Sequence, residues 1–238
     1  DGATVVVEKG DYKSACYFRV SYAKEQCEAN VRFDEERSEL RIEVDIENIS
    51  FFKNDSNGDY ASIYLGLPRD KKVHLYADVK AGEIDFELGD LYIRDFQLDN
   101  WAGEVTVGFD EPNRSRMELF DVSVRMGEMI LQKLGNARFE QADINGGVGE
   151  LGVDFTGRRI ERAMARIDLD VGETNLVLPN DIGIKLKVSK FLFLSSIDYP
   201  DWFRKRGKYF YSKNYTESED SLYLIISSGV GELNIDMR

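Results

Sequence analysis

The sequence predicts an all-β protein, a β-solenoid stacked from repeats of about 22 residues like a single-stranded β-helix, with an antiparallel β region ahead of it. Three observations carry that expectation. The dipeptide Gly-Glu begins at Gly82, Gly103, Gly127, Gly149 and Gly172, at spacings of 21, 24, 22 and 23 residues, and recurs at Gly231. Two, four and six residues after each of these glycines the chain is apolar at sixteen of eighteen positions, the exceptions being Lys133 and Thr174. No stretch joins a helix start signal to a helical period, and residues 159–165 have room for a single turn at most.

In chain order, residues 1–79 form the N-terminal β region. Strands are expected at 4–8, 15–22, 28–33 and 39–46, which alternate in polarity or are rich in β-branched residues. Asp34-Glu35-Glu36-Arg37 marks a turn, and Ser56-Asn57-Gly58-Asp59 a loop ahead of Ile63-Tyr64-Leu65. Cys16 and Cys27 flank the polar stretch Ala23-Lys24-Glu25-Gln26. That arrangement suits a cross-strand disulfide in an oxidising compartment, or two separate buried thiols.

Residues 80–238 form the repeat region. The apolar residues after the glycines begin with Ile84, Phe86 and Leu88, continue through Leu151, Val153 and Phe155, and end with Leu233, Ile235 and Met237. A shorter alternating piece precedes the next glycine, as in Phe96 and Leu98 or Ile167 and Leu169. Each repeat therefore supplies at least two short strands joined by Gly, Asn or Asp turns. One such unit cannot bury its apolar face alone, whereas stacked copies share a continuous core. The glycine suits a corner at positive φ, where a Cβ is costly. Glu83, Glu104, Glu128, Glu150 and Glu173 then share one edge. They lack the dense Asp and Asn spacing of a calcium loop and read as solvated charge that discourages edge association.

Composition excludes several functions. A net charge of −13 repels nucleic acid and anionic membranes. No apolar run approaches the roughly 18 residues of a membrane-spanning helix, so no transmembrane segment is expected in this chain. A start at Asp1 fits a matured or trimmed chain. One histidine, His74, and two cysteines are too few for most zinc sites and His-dependent catalysis. No catalytic, metal or cofactor residues are therefore assigned. Gly147-Val148-Gly149-Glu150-Leu151-Gly152 matches the dinucleotide pattern G-x-G-x-x-G, but Val153-Asp154-Phe155 continues it as a strand, without the helix that motif needs. Arg158, Arg159, Arg162 and Arg166, with Asp154 and Asp168, are the residue types of a β-helix carbohydrate-active enzyme. They read as a solvated surface.

One segment breaks the period. Gly172 and Gly231 lie 59 residues apart, and between them residues 191–215 gather aromatic and basic side chains. Trp202, Phe203, Arg204, Lys205, Arg206, Lys208, Tyr209 and Tyr211 are the candidate contact residues for an anionic partner, a protein or an envelope glycopolymer. The competing expectation is a loop that caps the open end of the core.

These residues also carry a family resemblance. Leu67-Pro68 is followed by the Gly-Glu corners, then Leu134-Gly135-Asn136-Ala137, Gly147-Val148-Gly149-Glu150 and Asp154-Phe155-Thr156-Gly157. Gly172-Glu173, Leu178-Pro179 and Gly229-Val230-Gly231-Glu232 complete the order. The chain resembles the bacterial toast-rack proteins and the C-terminal domain of cell-wall-active-antibiotic-response proteins, a group that overlaps adhesins. The resemblance implies a β-solenoid-like, extracytoplasmic domain with no catalytic residues. It implies a non-enzymatic envelope interaction or sensing module, linked to envelope stress or antibiotic response. A surface adhesin or structural spacer is the alternative, and a β-helix carbohydrate-active enzyme the second.

Overall fold

Side chains that alternate in polarity settle into extended backbone, and this chain is strand through most of its length. A computed structural model describes residues 2–46, 61–158, 161–190, 195–198 and 201–238. The loop expected at 56–59, Arg159, Phe191 and the Tyr199-Pro200 pair lie outside them. Among the described residues the only helical piece is a 3-10 turn, Leu134–Ala137.

Six long strands carry the Gly-Glu corners: β6 (Lys72–Glu87), β7 (Tyr92–Gly108), β8 (Met117–Gln132), β9 (Phe139–Asp154), β10 (Arg162–Leu178) and β15 (Ser221–Met237). They pair in parallel, and their registers align Gly82, Gly103, Gly127, Gly149, Gly172 and Gly231 in one row. The row of Glu83, Glu104, Glu128, Glu150, Glu173 and Glu232 follows beside it. The expectation of two strands per repeat is corrected here. Each repeat is one bent strand of 16 or 17 residues, because the glycine turns the chain without leaving the ladder. These six glycines hold φ between 132° and 152°. A Cβ at Gly149 would overlap the carbonyl oxygen of Gly127, and the other five corners are obstructed in the same way by the preceding strand. Only glycine fits.

Inward residues on both limbs of the bend meet in one core. Phe96, Phe120 and Ile144 arrive from before the corner; Ile84, Val107, Leu131 and Leu176 arrive from after it. The turns are fastened by buried amides. Asn113 donates Nδ2 to the Ile93 carbonyl at 2.8 Å and accepts the Ile93 N–H at 3.0 Å, as a strand residue would. Asn136 donates to the Phe109 carbonyl at 2.8 Å and accepts the Arg158 N–H at 2.8 Å.

At both ends the chain doubles back into its own sheet. β1 (Ala3–Lys9) lies between β5 (Ala61–Leu67) and β6, parallel to both. β15 lies between β10 on one side and β11 (Gly183–Lys190) and β12 (Ser195–Asp198) on the other. Among the described residues, antiparallel pairing in the N-terminal region occurs in two places. β2 (Tyr17–Tyr22) pairs with β5, and β3 (Cys27–Asp34) pairs with β4 (Glu39–Ile46) as a separate two-stranded sheet. β6 runs across residues 79 and 80 without a break. Among the described residues the main sheet has 13 strands and ends at β2 on one side and at β13 (Phe203–Arg206) on the other.

Cys16 and Cys27 do not pair. Cys16 is an exposed thiol just ahead of β2 in the main sheet, whereas Cys27 is buried at the start of β3, opposite Ile46. The hairpin that would bring them together does not exist, because β2 and β3 choose different partners.

A cation and tyrosine face at the end of the sheet

The segment that breaks the repeat period forms a hairpin. β13 joins β14 (Tyr209–Ser212) through Gly207 and Lys208, with Arg206 opposite Tyr209 and Phe203 opposite Ser212. Gly207 takes φ 63°, the positive value that a tight two-residue connection demands of its first residue. β14 then pairs antiparallel with β11, placing Tyr211 beside Lys185 and Phe210 beside Leu186. Ser212 locks the junction. Its hydroxyl accepts the Ile184 N–H at 2.8 Å and donates to Asn214 Oδ1 at 2.7 Å.

Strand alternation divides the hairpin into two faces. Phe203 is only 8% exposed and joins the core, with Phe210 packed against it. Phe203 thus leaves the set of contact residues. Trp202 is half-buried, its Nε1 is buried without a hydrogen-bond partner among the described residues, and the Lys213 ammonium lies 5.0 Å from its ring centroid. The opposite face is open to solvent. There, register aligns Arg204, Tyr211, Lys185 and Tyr223 across four strands, with Arg206 opposite Tyr209.

Aromatic rings hold these cations in place. The Lys185 ammonium sits 4.2 Å from the Tyr209 centroid and 4.5 Å from that of Tyr223. Arg206 lies 5.7 Å from Tyr211 and Lys208 lies 5.4 Å from Tyr209, while Lys205, on the Phe203 side of the hairpin, lies 5.5 Å from Phe210. The rings brace one another edge to face, Tyr211 with Tyr215 at 4.9 Å and Tyr209 with Tyr223 at 6.4 Å. Desolvation raises the pKa of the Tyr209 hydroxyl, yet Lys208 and Lys185 outweigh it and hold the value below the ordinary tyrosine range.

Several arginines elsewhere pair with carboxylates, although among the described residues Arg19, Arg32, Arg69, Arg125 and Arg162 do not. Arg94 pairs with Glu118, Arg114 with Asp90, Arg116 with Glu140 and Arg166 with Asp143. Among the described residues Lys185, Lys187, Arg204, Lys205, Arg206, Lys208 and Lys213 have no such carboxylate partner. Lys185, Lys187, Tyr215 and Tyr223 escaped the sequence reading. Their signal was the alternation of Ile184, Leu186 and Val188 with the two lysines, which marks Lys185 and Lys187 as outward.

Other candidate motifs are absorbed by the strands. The glycines from Gly147 to Gly152 lie inside β9. Arg166 engages Asp143 at 3.2 Å rather than Asp154 or Asp168, and Asp154 accepts the Thr156 N–H at 2.7 Å. Among the described residues no three His, Cys, Asp or Glu side chains converge as a metal site requires, and no helix is long and apolar enough to cross a membrane.

No protein-family model and no curated protein matches this chain. Among solved structures it is similar to a "putative cell adhesion protein" from Clostridium sporogenes, at 16% identity and a TM-score of 0.44, over 100% of this chain and 88% of that one.

Proposed function

We propose that the chain is a non-enzymatic interaction module of the cell envelope, whose stacked repeats form a β-solenoid scaffold and whose cation and tyrosine face binds an anionic partner polymer. The observation that carries this reading is the clustering of seven cations, none with a carboxylate partner among the described residues, at one end of a protein of net charge −13. Cations without a carboxylate partner keep their donors available to a ligand. Tyrosine rings fix the ammonium and guanidinium groups without neutralising them, which lowers the ordering cost of binding. The acidic remainder turns an approaching polyanion toward this end. On this reading the module works outside the cytoplasm, the location implied by the toast-rack resemblance, and an adhesin-type contact role and an envelope-sensing role use the same face.

The test is binding to two soluble polyanions, a carboxylated polysaccharide and a poly(glycerol phosphate), by titration calorimetry at low and moderate salt. The parent chain is expected to bind with an affinity that falls steeply as salt rises. Arg204→Glu with Arg206→Glu should weaken binding at least tenfold while leaving the melting temperature nearly unchanged. Equal affinity in parent and variant, or no binding to either polymer, overturns the reading.

A further inference from the structure

The two ends of the main sheet are finished in opposite ways. β13 closes one end with three consecutive exposed cations, Arg204-Lys205-Arg206, and like charges along an edge strand oppose pairing with another copy. β2 closes the other end as Tyr-Phe-Arg-Val-Ser-Tyr, with one charge, no proline and no glycine. Tyr17, Phe18 and Tyr22 are 42%, 39% and 37% exposed. Among the described residues no strand pairs with the outer edge of β2.

The faces of β2 differ. Phe18, Val20 and Tyr22 stand opposite Leu65, Ile63 and Ala61, and these β5 residues belong to the core or pack against it. The core-facing side of the sheet therefore continues onto β2 as an apolar stripe and stops there uncovered. Tyr17, Arg19 and Ser21 form the outer side, where Tyr17 stacks edge-on against Tyr64 at 6.0 Å and accepts a hydrogen bond from Arg19 at 3.1 Å.

We propose that β2 is an interface strand that pairs edge to edge and antiparallel with β2 of a second copy of this chain. A two-fold axis perpendicular to a sheet keeps the two core-facing sides together, so a residue must face itself at the axis. Centring on Val20 sets Val20 against Val20 of the second copy, Phe18 against Tyr22 and Arg19 against Ser21. Aromatic and β-branched residues meet on the core side, and no like charges oppose. Centring on Arg19 instead places two guanidiniums face to face, which disfavours that register. Charge also selects the edge: β13 would set its three cations against those of its own copy, whereas β2 carries one charge.

Light scattering after gel filtration tests the pairing on the chain as it stands. The expected mass is twice 27.2 kDa at high concentration, falling toward 27.2 kDa on dilution. Val20→Lys sets two ammoniums together at the axis and should weaken the dimer at least tenfold. The control Arg206→Glu, at the far end, should not. Register is read by cysteine crosslinking in a Cys16→Ser background. Val20→Cys places two thiols within disulfide reach and should crosslink under mild oxidation, whereas Arg19→Cys should not. A single-chain mass at every concentration overturns the proposal. So does a dimer indifferent to Val20→Lys, or equal crosslinking at both positions.

Discussion

Gly149 shows how one residue constrains the stack. Its φ of 148° and the Gly127 carbonyl beside it leave no room for a side chain, so the demand is steric as well as conformational. Gly149→Ala is expected to lower stability by roughly 3 kcal/mol, read as a shift of the urea midpoint. Exposed Glu150, the next residue, should tolerate Glu150→Gln within about 0.5 kcal/mol. The opposite sign is expected at Asn100. Its side chain is 1% exposed, its amide nitrogen and oxygen have no hydrogen-bond partner among the described residues, and its in-register neighbours are Val79 and Val124. Asn100→Val removes a buried polar group and extends a valine row, so the melting temperature should rise.

Between elements, charge ties turns that are distant in sequence. Asp90 receives Arg114 at 2.6 Å and Lys9 at 3.1 Å, joining the end of β1 to two turns of the stack. The Arg114 hydrogen bond, against a burial penalty and with help from Lys9, holds the Asp90 carboxyl below the ordinary aspartate range. A depressed folded-state pKa stabilises above the unfolded value, about 3.9, and that contribution is lost as pH falls through the folded value. Asp90→Asn should therefore destabilise at neutral pH and approach the parent in acid. Asp121 is the mirror case. Burial first, then Asp143 and Asp99, raise its pKa. Its stability is then full below about 3.9 and is lost as pH rises through the folded value. Asp121→Asn should stabilise at neutral pH and gain little in acid. Urea titrations across that range check both signs. The hairpin of β13 and β14 carries another element-scale result. Its Phe203 side packs into the core while its Arg204 side meets solvent, so adjacent residues of one element lie in opposite surroundings.

For the whole molecule, the placement of the outer strands matters most. β1 and β15 open and close the described chain, yet each is hydrogen-bonded on both sides. Amides of β15 should exchange with deuterium as slowly as those of β8, while those of edge strand β13 exchange fast. Rapid exchange throughout β15 would contradict the inserted order. Closing β15 between β10 and β11 needs contacts remote in sequence, so folding is expected to be slow for a chain of this size.

Much of this was legible in the chain itself. Period-two alternation is local chemistry, and it determined the extended backbone, the inward residues from Ile84 to Ile235, and the row of corner glycines. It also contained the hairpin's two faces, since Phe203 and Arg204 are adjacent and so must point apart. Partner choice was not local. That β3 pairs with β4 and not with β2, which separates Cys16 from Cys27, depends on competition among strands of similar polarity. Nor does any motif near Lys185 or Tyr223 announce that β15 returns beside β11 and brings them under Tyr209. Strands carry a pattern that says which face is buried and almost nothing that says beside whom, so register and order were decided by packing of the assembled core.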